Sequence, residues 1–432
     1  MQERFTPELR RRTMAKVSWR LLPLVVVAYL IAYIDRTNIA VAALTMNKDL
    51  GISTSVYGIG AGIFFIGYAV FEIPSNMILE KVGARIWIAR IMITWGIVSG
   101  LMATASGPTS FIVLRFLLGV AEAGFFPGMI LYFTYWYPAA YRGRVISTLF
   151  IAVPVANAVS SVISGAILSM DGIWGLHGWQ WVFIIEAVPA VLLAGVVLAY
   201  MTDRPAVAHW LAADEKEWLE SELAAERRAV EAKGKLTIWQ VMSDPRVLAI
   251  SGIYFFSATA NYGITFFLPQ IVKSVGVQSN FTIGLLSAIP YVVGVFGLLA
   301  FGYSSDRMSE RRRHLICAAI IGGIGFFIAG WIGNSYWALV GMSIATIGTY
   351  GCRPTMWPMP SQFLTGAAAA VGIAFINSIG NLGGYVGPFV VGWIKDSTKS
   401  FELAVFFLAA CSFASALIAF VARRATGARA RG

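Results

Sequence analysis

The sequence predicts an all-α polytopic membrane protein with twelve transmembrane helices. Of its 432 residues, 58% are hydrophobic and 13% are charged, whereas a soluble domain is typically about 45–50% apolar and about 25% charged. Apolar stretches of about 20 residues, the length that crosses about 30 Å of hydrocarbon, recur along almost the whole chain. The short alternating segments typical of a membrane β-barrel are absent from the sequence.

Charged breaks between the apolar runs locate the individual spans. The twelve spans are predicted near residues 19–46, 55–79, 85–105, 109–136, 143–169, 179–200, 246–271, 282–303, 313–332, 336–364, 367–394 and 402–422. A long polar insert follows span six, and its dense mixed charge predicts an exposed cytoplasmic helix. We therefore expect an N-terminal six-helix bundle at 1–201, a linker with an amphipathic helix at 202–245, and a C-terminal six-helix bundle at 246–432.

The basic residues indicate how the chain is oriented. The formal net charge is +11, with 33 Lys and Arg residues. If the first span leaves the cytoplasm, four of these residues fall outside, three lie within spans, and all others flank cytoplasmic segments. This asymmetry is the positive-inside rule, and it places both termini in the cytoplasm. The positive charge therefore reflects membrane topology, and we expect no nucleic-acid partner.

Two short cytoplasmic loops repeat an arrangement of an acid followed by bases, which supports a duplicated unit. The first loop contains "NMILEKVGAR" after span two, and the second contains "GYSSDR" after span eight. Both resemble the loop signature of the major facilitator superfamily. That resemblance implies a gating or helix-end role, without substrate contact, for these residues: Glu80, Lys81, Gly83 and Arg85 in the first loop, and Gly302, Asp306 and Arg307 in the second.

Span one contains an acid and a base side by side, Asp35 and Arg36, within "YLIAYIDRTNIAVAAL". They lie about 20 Å from the outer end of the span, near the bilayer centre. A lipid-facing position would cost about 2.5–3.5 kcal/mol for each charge, so they must face the bundle interior or a wet cavity. They are either a structural ion pair or part of an ion or substrate path.

Span four adds a second pair of charges at similar depth. Arg115, Gly119 and Glu122 have the spacing i, i+4, i+7, which places them on one helix face. A guanidinium stays protonated and fits a carboxylate, so both span arginines are candidates to hold an anion. Burial disfavours a charged carboxylate whereas a nearby arginine favours it, so the acids are candidates to exchange protons. The three histidines lie in loops or at span ends.

These stretches, "YIDRTN" and "RFLLGVAEAGFFPG", resemble the anion:cation symporter family, as do "FEIPSN" and "INSIGNLGGYVGP". Taken over its length, the sequence most resembles the bacterial tartrate and phthalate transporter branch. The family implies a major facilitator fold in the bacterial inner membrane that imports an organic anion together with protons. Carried over by position, it implies these roles: Asp35 and Glu122 as proton carriers, Arg36 and Arg115 for the anion, and Tyr68 and Asn381 as polar contacts.

Span ten contains a further charge, Arg353, in a region that three prolines are expected to break. It is either a buried partner for free carbonyls or a cation for a second carboxylate. The second reading leads to the hypothesis of a dicarboxylate or hydroxylated acid as substrate. Trp357 and Ser361, one and two turns further on, and Tyr33 in span one are added to the predicted substrate site. Glu72 is interpreted as a partner of the first loop motif, and Glu186 as structural.

The function predicted from these residues is proton symport of a small organic anion by alternating access between the two halves. Exchange of anions or uniport remains an alternative, in which the acids are structural. A membrane sensor is disfavoured because the only long polar segment is about 45 residues and too short for a signalling domain. An enzyme is disfavoured because no nucleophile–base pair, metal cluster or phosphate loop is visible. We expect a monomer that uses no metal or cofactor and is driven by the proton gradient.

Overall fold

The computed structural model describes residues 5–231, 238–364 and 366–422. Nearly all of these residues are helical, and none of them forms a β-strand. The helices up to residue 200 are α1 Pro7–Thr37, α2 Ile39–Asp49, α3 Thr54–Val82, α4 Ala84–Leu101, α5 Pro108–Glu122, α6 Phe125–Trp136, α7 Ala139–Ile167 and α8 Gly178–Tyr200. We refer to residues 7–200 as the N-half.

The linker and the second part of the chain are equally helical. The linker contains α9 Ala213–Glu231 and α10 Ile238–Met242, and the later helices are α11 Pro245–Ser274, α12 Asn280–Arg307, α13 Arg312–Ile332, α14 Ala338–Met356, α15 Gly366–Thr398 and α16 Glu402–Val421. We refer to residues 245–421 as the C-half. Single 3₁₀ turns occur at Met102–Thr104, Leu168–Met170, Ile173–Gly175, Pro205–Val207 and Pro360–Gln362.

The helices are long and apolar enough to cross a bilayer. Within the described residues, 10 segments meet this criterion, with α1 and α2 counted as one span and α5 and α6 as another. Helices α14 and α15, of 19 and 33 residues, complete the set of twelve. The division into separate bundles at 1–201 and 246–432 stays a prediction.

The two halves meet most extensively along two pairs of helices, α3 with α15 and α7 with α12, and also where α2 meets α11. On the side predicted to face outward, these helices approach each other backbone to backbone at glycines. A Cβ atom on Gly58 would lie 2.3 Å from the carbonyl oxygen of Pro388, and one on Gly284 would lie 2.3 Å from that of Ser161. Any larger residue would force the helices apart, so the outer side is closed by main-chain packing.

Two polar contacts from the C-half also hold the outer side. The carboxylate of Asp396 accepts hydrogen bonds from the N–H groups of Ser55 at 2.7 Å and Thr54 at 3.3 Å. An acid is favoured there because the start of α3 carries partial positive charge. On α11, the Lys273 ammonium donates to the carbonyl oxygen of Leu44 at 2.7 Å. The C-half thus binds exposed backbone groups of the N-half at its outer end.

The linker helix α9 is less exposed than the sequence suggests, because one of its faces packs on the N-half. Trp218 and Leu219 are buried, and the fully buried Glu215 carboxylate accepts hydrogen bonds from Lys16 at 2.9 Å and Arg12 at 3.0 Å. Further along α9, Glu226 accepts from Arg142 at 2.5 Å. The expected amphipathic helix is therefore docked on the cytoplasmic ends of α1 and α7.

The Glu215→Gln variant tests this docking through its pH dependence. Burial raises the pKa of the Glu215 carboxyl, but hydrogen bonds from Lys16 and the Ala212 N–H lower it more, to below its usual 4.5. A lowered pKa means that the stabilisation is present above the unfolded pKa and disappears as the pH falls through the folded one. We expect the variant to melt about 1 °C lower at about pH 7, which corresponds to about 1 kcal/mol, and this difference to disappear as the pH falls through the lowered pKa. Thermal unfolding in detergent measures it.

The matched control is Glu220→Gln, on an exposed position of the same helix. An equal effect of both substitutions, or a difference that does not depend on pH, would contradict the docked arrangement.

Candidate functional site

Two spans of the N-half are divided into two helices directly after their charged residues. Helix α1 ends one residue beyond Arg36 and α2 begins after Asn38, while α5 ends at Glu122. At the second boundary Gly124 has φ of +85°, a left-handed conformation that favours glycine. At the first boundary the chain stays helical, because Asn38 keeps αR torsions and its N–H donates to the Ile34 carbonyl oxygen at 2.8 Å. Glu122 therefore lies directly before a true interruption of its span, whereas Arg36 lies in a span that continues.

An ion pair between Arg36 and Glu122 joins these two spans. Both side chains are buried, with exposed fractions of 8% and 2%. The Arg36 guanidinium also lies 4.7 Å from the ring centre of Tyr33 and 5.5 Å from that of Tyr68. These contacts stabilise the guanidinium charge where water is excluded, because cations are attracted to aromatic faces.

Asp35 points in a different direction from its neighbour in sequence. Its carboxylate accepts hydrogen bonds from the Trp95 indole N–H at 3.0 Å and the Ser99 hydroxyl at 2.9 Å, both on α4. Successive residues of an α-helix are rotated by about 100° because a turn contains 3.6 residues. Asp35 and Arg36 are therefore not an ion pair with each other: the acid faces α4, and the base faces Glu122.

Arg115 lies on the face of α5 that packs against α3, together with Gly119. Its guanidinium donates to the carbonyl oxygens of Gly60 at 3.2 Å and Ala61 at 3.4 Å. A Cβ atom on Gly119 would lie 2.0 Å from the Phe64 carbonyl oxygen, so the two helices are in direct contact. Arg115 is fully buried in this contact, and its role in holding an anion stays a prediction.

A small polar cavity lies between the halves, next to the Arg36–Glu122 pair. Its volume is about 20 Å³, room for a water molecule but not for an organic acid. Six residues of the predicted site line it: Tyr33, Arg36, Tyr68, Arg353, Trp357 and Asn381. The structure adds aromatic residues on both halves, namely Tyr29, Phe65, Phe126, Phe150, Tyr254 and Tyr262. The cavity is thus closed around two cations by aromatic rings.

The two cations reach the cavity from opposite halves, Arg36 from α1 and Arg353 from α14. Arg353 is buried and donates to the Asn261 side-chain oxygen at 2.9 Å. Helix α14 ends at Met356, within the proline-rich region where the sequence predicts a break. Ser361 lies beyond this end, exposed, with its hydroxyl bonded to the Pro358 carbonyl oxygen at 2.9 Å. The structure therefore does not bring Ser361 to the cavity.

Part of the aromatic lining can be recognised from residue spacing in the sequence. Tyr29, Tyr33 and Arg36 have the spacing i, i+4, i+7, which places them on one face of α1. The Tyr33 hydroxyl lies 3.3 Å from that of Tyr262, so hydroxyl groups of the two halves meet beside the arginines. Phe126 and Phe150 have no such signal, because nothing local to their helices reveals which face meets the other half.

Glu72 differs from its interpretation as a partner of the loop motif. Its carboxylate accepts a hydrogen bond from the Asn377 side chain at 3.0 Å, and Asn377 lies on α15 and lines the cavity. This hydrogen bond joins the two halves, and its donor is not a residue of the loop motif. Glu186 is buried and accepts from the Ser164 hydroxyl at 2.6 Å.

The two loop motifs lie away from the cavity. Glu80, Lys81 and Arg85 are exposed, and Gly83 has φ of +99° where α3 turns into α4. The N–H of Arg85 donates to Asp203 at 2.8 Å, which caps α4.

The residues of the second loop motif lie at the end of α12. Asp306 and Arg307 are exposed, Asp306 forms an ion pair with Arg311, and Gly302 lies against Pro354. Their gating role stays a prediction, but neither motif lines the cavity.

The charged groups that line the cavity are cations, and the part of the chain that the structure describes holds no cluster of metal-binding side chains. No group of three or more His, Cys, Asp or Glu side chains suited to a metal ion occurs there. Two guanidinium groups face one cavity of low dielectric, in which charge–charge attraction is much stronger than in water. A carboxylate that enters can accept paired hydrogen bonds from either guanidinium.

Comparison with known proteins agrees with this fold. The model of the Major Facilitator Superfamily matches residues 25–388. A protein of Agrobacterium vitis, provisionally named a tartrate transporter, is 48% identical, with 96% of both chains covered. A protein of Acinetobacter baumannii named "Quinolone resistance transporter" is 42% identical, with 91% of this chain and 90% of that protein covered.

Among solved structures, the inward-facing, unoccupied bacterial homologue of the human lysosomal transporter Spinster has a similar fold. The two structures share a TM-score of 0.76 at 18% identity, with 99% of this chain and 100% of that chain covered.

A twelve-helix bundle with a polar cavity between its halves defines a secondary transporter of small organic molecules, not an enzyme. The chain belongs to the Major Facilitator Superfamily, as the loop and span motifs predict, and it is a multi-pass membrane protein.

Replacing Glu122 with alanine tests the importance of the central ion pair for folding. The substitution leaves the Arg36 charge buried without an acid, and breaking a buried pair in this way typically costs about 3–5 kcal/mol. We expect a large loss of monodisperse protein after detergent extraction and a clearly lower melting temperature. Glu220→Ala on the linker surface serves as the control. Equal yield and melting temperature of the two variants would show that Arg36 does not depend on Glu122.

Proposed function

We propose that the protein imports a small organic carboxylate together with protons, by alternating access across the bacterial inner membrane. The observation that carries this proposal is the pair of arginines, one from each half, at one cavity beside a buried carboxylate. A bound anion would contact Arg36 and Arg353 at once and so draw the halves together. The inner-membrane location rests on the charge asymmetry of the loops, and a monomer is sufficient for the cycle.

The proposed cargo is a dicarboxylate or a hydroxylated acid such as tartrate, and phthalate or a sugar acid fits the same chemistry. Two separated guanidinium groups suit two carboxylates, since each binds one in paired geometry. The hydroxyls of Tyr33 and Tyr262 and the amide of Asn381 offer hydrogen bonds to hydroxyl groups between them. The similarity to a protein provisionally named a tartrate transporter supports this choice.

The proposed cycle uses the Arg36–Glu122 pair as a switch. When Glu122 takes up a proton it releases Arg36, which then binds the cargo carboxylate. When the cavity opens to the cytoplasm and Glu122 loses its proton, the carboxylate regains Arg36 and displaces the cargo. Asp35 supplies a second proton site behind the pair, next to Trp95 and Ser99. If more protons than anionic charges enter, the membrane potential contributes about 2.3 kcal/mol per net charge per 100 mV.

The coupling test uses proteoliposomes with an imposed pH gradient. We expect wild-type protein to accumulate radiolabelled tartrate only when the outside is acidic. Glu122→Gln and Asp35→Asn should reduce gradient-driven accumulation at least about tenfold while tartrate–tartrate exchange continues, because exchange needs binding but no net proton movement. Glu220→Gln is the control. Accumulation that survives both substitutions would favour exchange or uniport, with the acids as structural partners of their neighbours.

The second test concerns the cation of the C-half. Arg353→Gln removes one guanidinium, and losing a charged hydrogen bond costs about 1.5–3 kcal/mol. We expect the apparent affinity for tartrate to fall about 10–100-fold, whereas that for a monocarboxylate of similar size changes less than about threefold. Melting curves with each ligand provide the measurement, because a ligand that binds only the folded state raises the melting temperature. Arg313→Gln, at an exposed position, is the control. Equal losses for both acids would contradict a second carboxylate site.

A further inference from the structure

Glu72 is a buried carboxyl at the surface where the two halves meet. It lies on α3, one turn from the cavity residue Tyr68, and only 3% of it is exposed. Helix α3 runs from the predicted outer side towards the cytoplasm, so Glu72 lies on the inner side of the cavity. The proton cycle proposed above makes no use of this group.

The partners of Glu72 leave half of its carboxylate unsatisfied. One oxygen accepts the hydrogen bond from Asn377 at 3.0 Å, while the other is buried without any hydrogen bond from the described residues. No Lys, Arg or His of the described part lies within 4.0 Å. Arg36, the cavity guanidinium of the same half, is already paired with Glu122. A buried carboxylate without its own cation is costly, so this environment suits the protonated acid.

In the proposed alternating-access cycle, the hydrogen bond to Asn377 would break each time the inner side opens. Glu72 belongs to the N-half and Asn377 to the C-half, and their contact lies between the cavity and the cytoplasm. Opening the inner side separates α3 from α15 at this level and lets water reach the carboxyl. The same group is then dry when the inner side is closed and hydrated when it is open. Hydration favours the charged form of a carboxyl.

A purely structural role would not require an acid here. An amide oxygen would accept the same hydrogen bond from Asn377, and a neutral side chain would avoid the unsatisfied buried oxygen. Packing therefore does not explain why residue 72 is an acid. Its position on the inner side of the cavity offers an explanation.

We propose that Glu72 is a third proton carrier, which holds a proton while the inner side is closed and releases it to cytoplasmic water when that side opens. This inference rests on the proposed proton symport. The step is a simple proton transfer from the carboxyl O–H to water, and the group regains a proton from the outward-open cavity when the inner side closes over it. Glu72 thereby links inner opening to proton release and raises the number of protons carried with each cargo molecule.

The experiment measures the ratio of protons to tartrate from reversal potentials in proteoliposomes. Glu72→Gln keeps an acceptor for Asn377 but cannot release a proton, so we expect the ratio to fall by one while tartrate affinity stays within about twofold. Glu72→Asp keeps an acid and should keep the wild-type ratio. Asn377→Leu removes the hydrogen bond but not the acid, so it should change transport rate and leave the ratio unchanged.

An unchanged ratio in Glu72→Gln would overturn the inference while leaving proton symport in place. A wild-type protein without proton-driven accumulation would overturn both. If Glu72→Gln is poorly folded, the double variant Glu72→Leu/Asn377→Leu replaces the polar pair by an apolar one: a proton-to-tartrate ratio one lower than that of Asn377→Leu alone supports a proton on residue 72, and equal ratios contradict it.

Discussion

The ion pair between Arg36 and Glu122 is the interaction on which the organisation of the site depends. In a medium of low dielectric, neither charge is tolerated without the other, so the first and fourth spans must meet at this level. The fourth span is interrupted two residues after Glu122, where Gly124 takes a left-handed conformation. Arg36 also lines the cavity between the halves, so the contact that stabilises the N-half is also the one that a competing carboxylate would displace.

Much of the fold follows from the sequence because its signals are local. Hydropathy locates each span, loop charge gives the orientation, and prolines mark the end of α14. The buried charges are also recognisable, since charged residues inside an apolar run need a partner. Their pairing is not recognisable, because it depends on how helices rotate against each other: Asp35 turns to α4, and Arg115 bonds carbonyl oxygens of α3. The Glu72–Asn377 contact joins residues 305 positions apart, and no local pattern predicts it.

The two sides of the molecule are closed by different means. On the outer side, glycines such as Gly58 and Gly284 bring backbones into contact, and Asp396 caps the start of α3. On the inner side, the contacts are made by side chains, among them the stacked rings of Phe150 and Trp357 at 6.1 Å. Side chains change rotamer far more readily than packed backbones separate. In the part of the chain that the structure describes, the outer side is therefore tightly sealed, and side-chain contacts such as this one lie between the cavity and the cytoplasm.

All the buried carboxyls in the described spans, Asp35, Glu72, Glu122 and Glu186, belong to the N-half, whereas the C-half contributes the constant charge of Arg353. The electric field across a bilayer exerts force in proportion to charge. A change of protonation therefore alters the force on one half and leaves the force on the other unchanged. The membrane voltage would then act on the angle between the halves as well as on the cargo, and rocking itself becomes a charge-moving step.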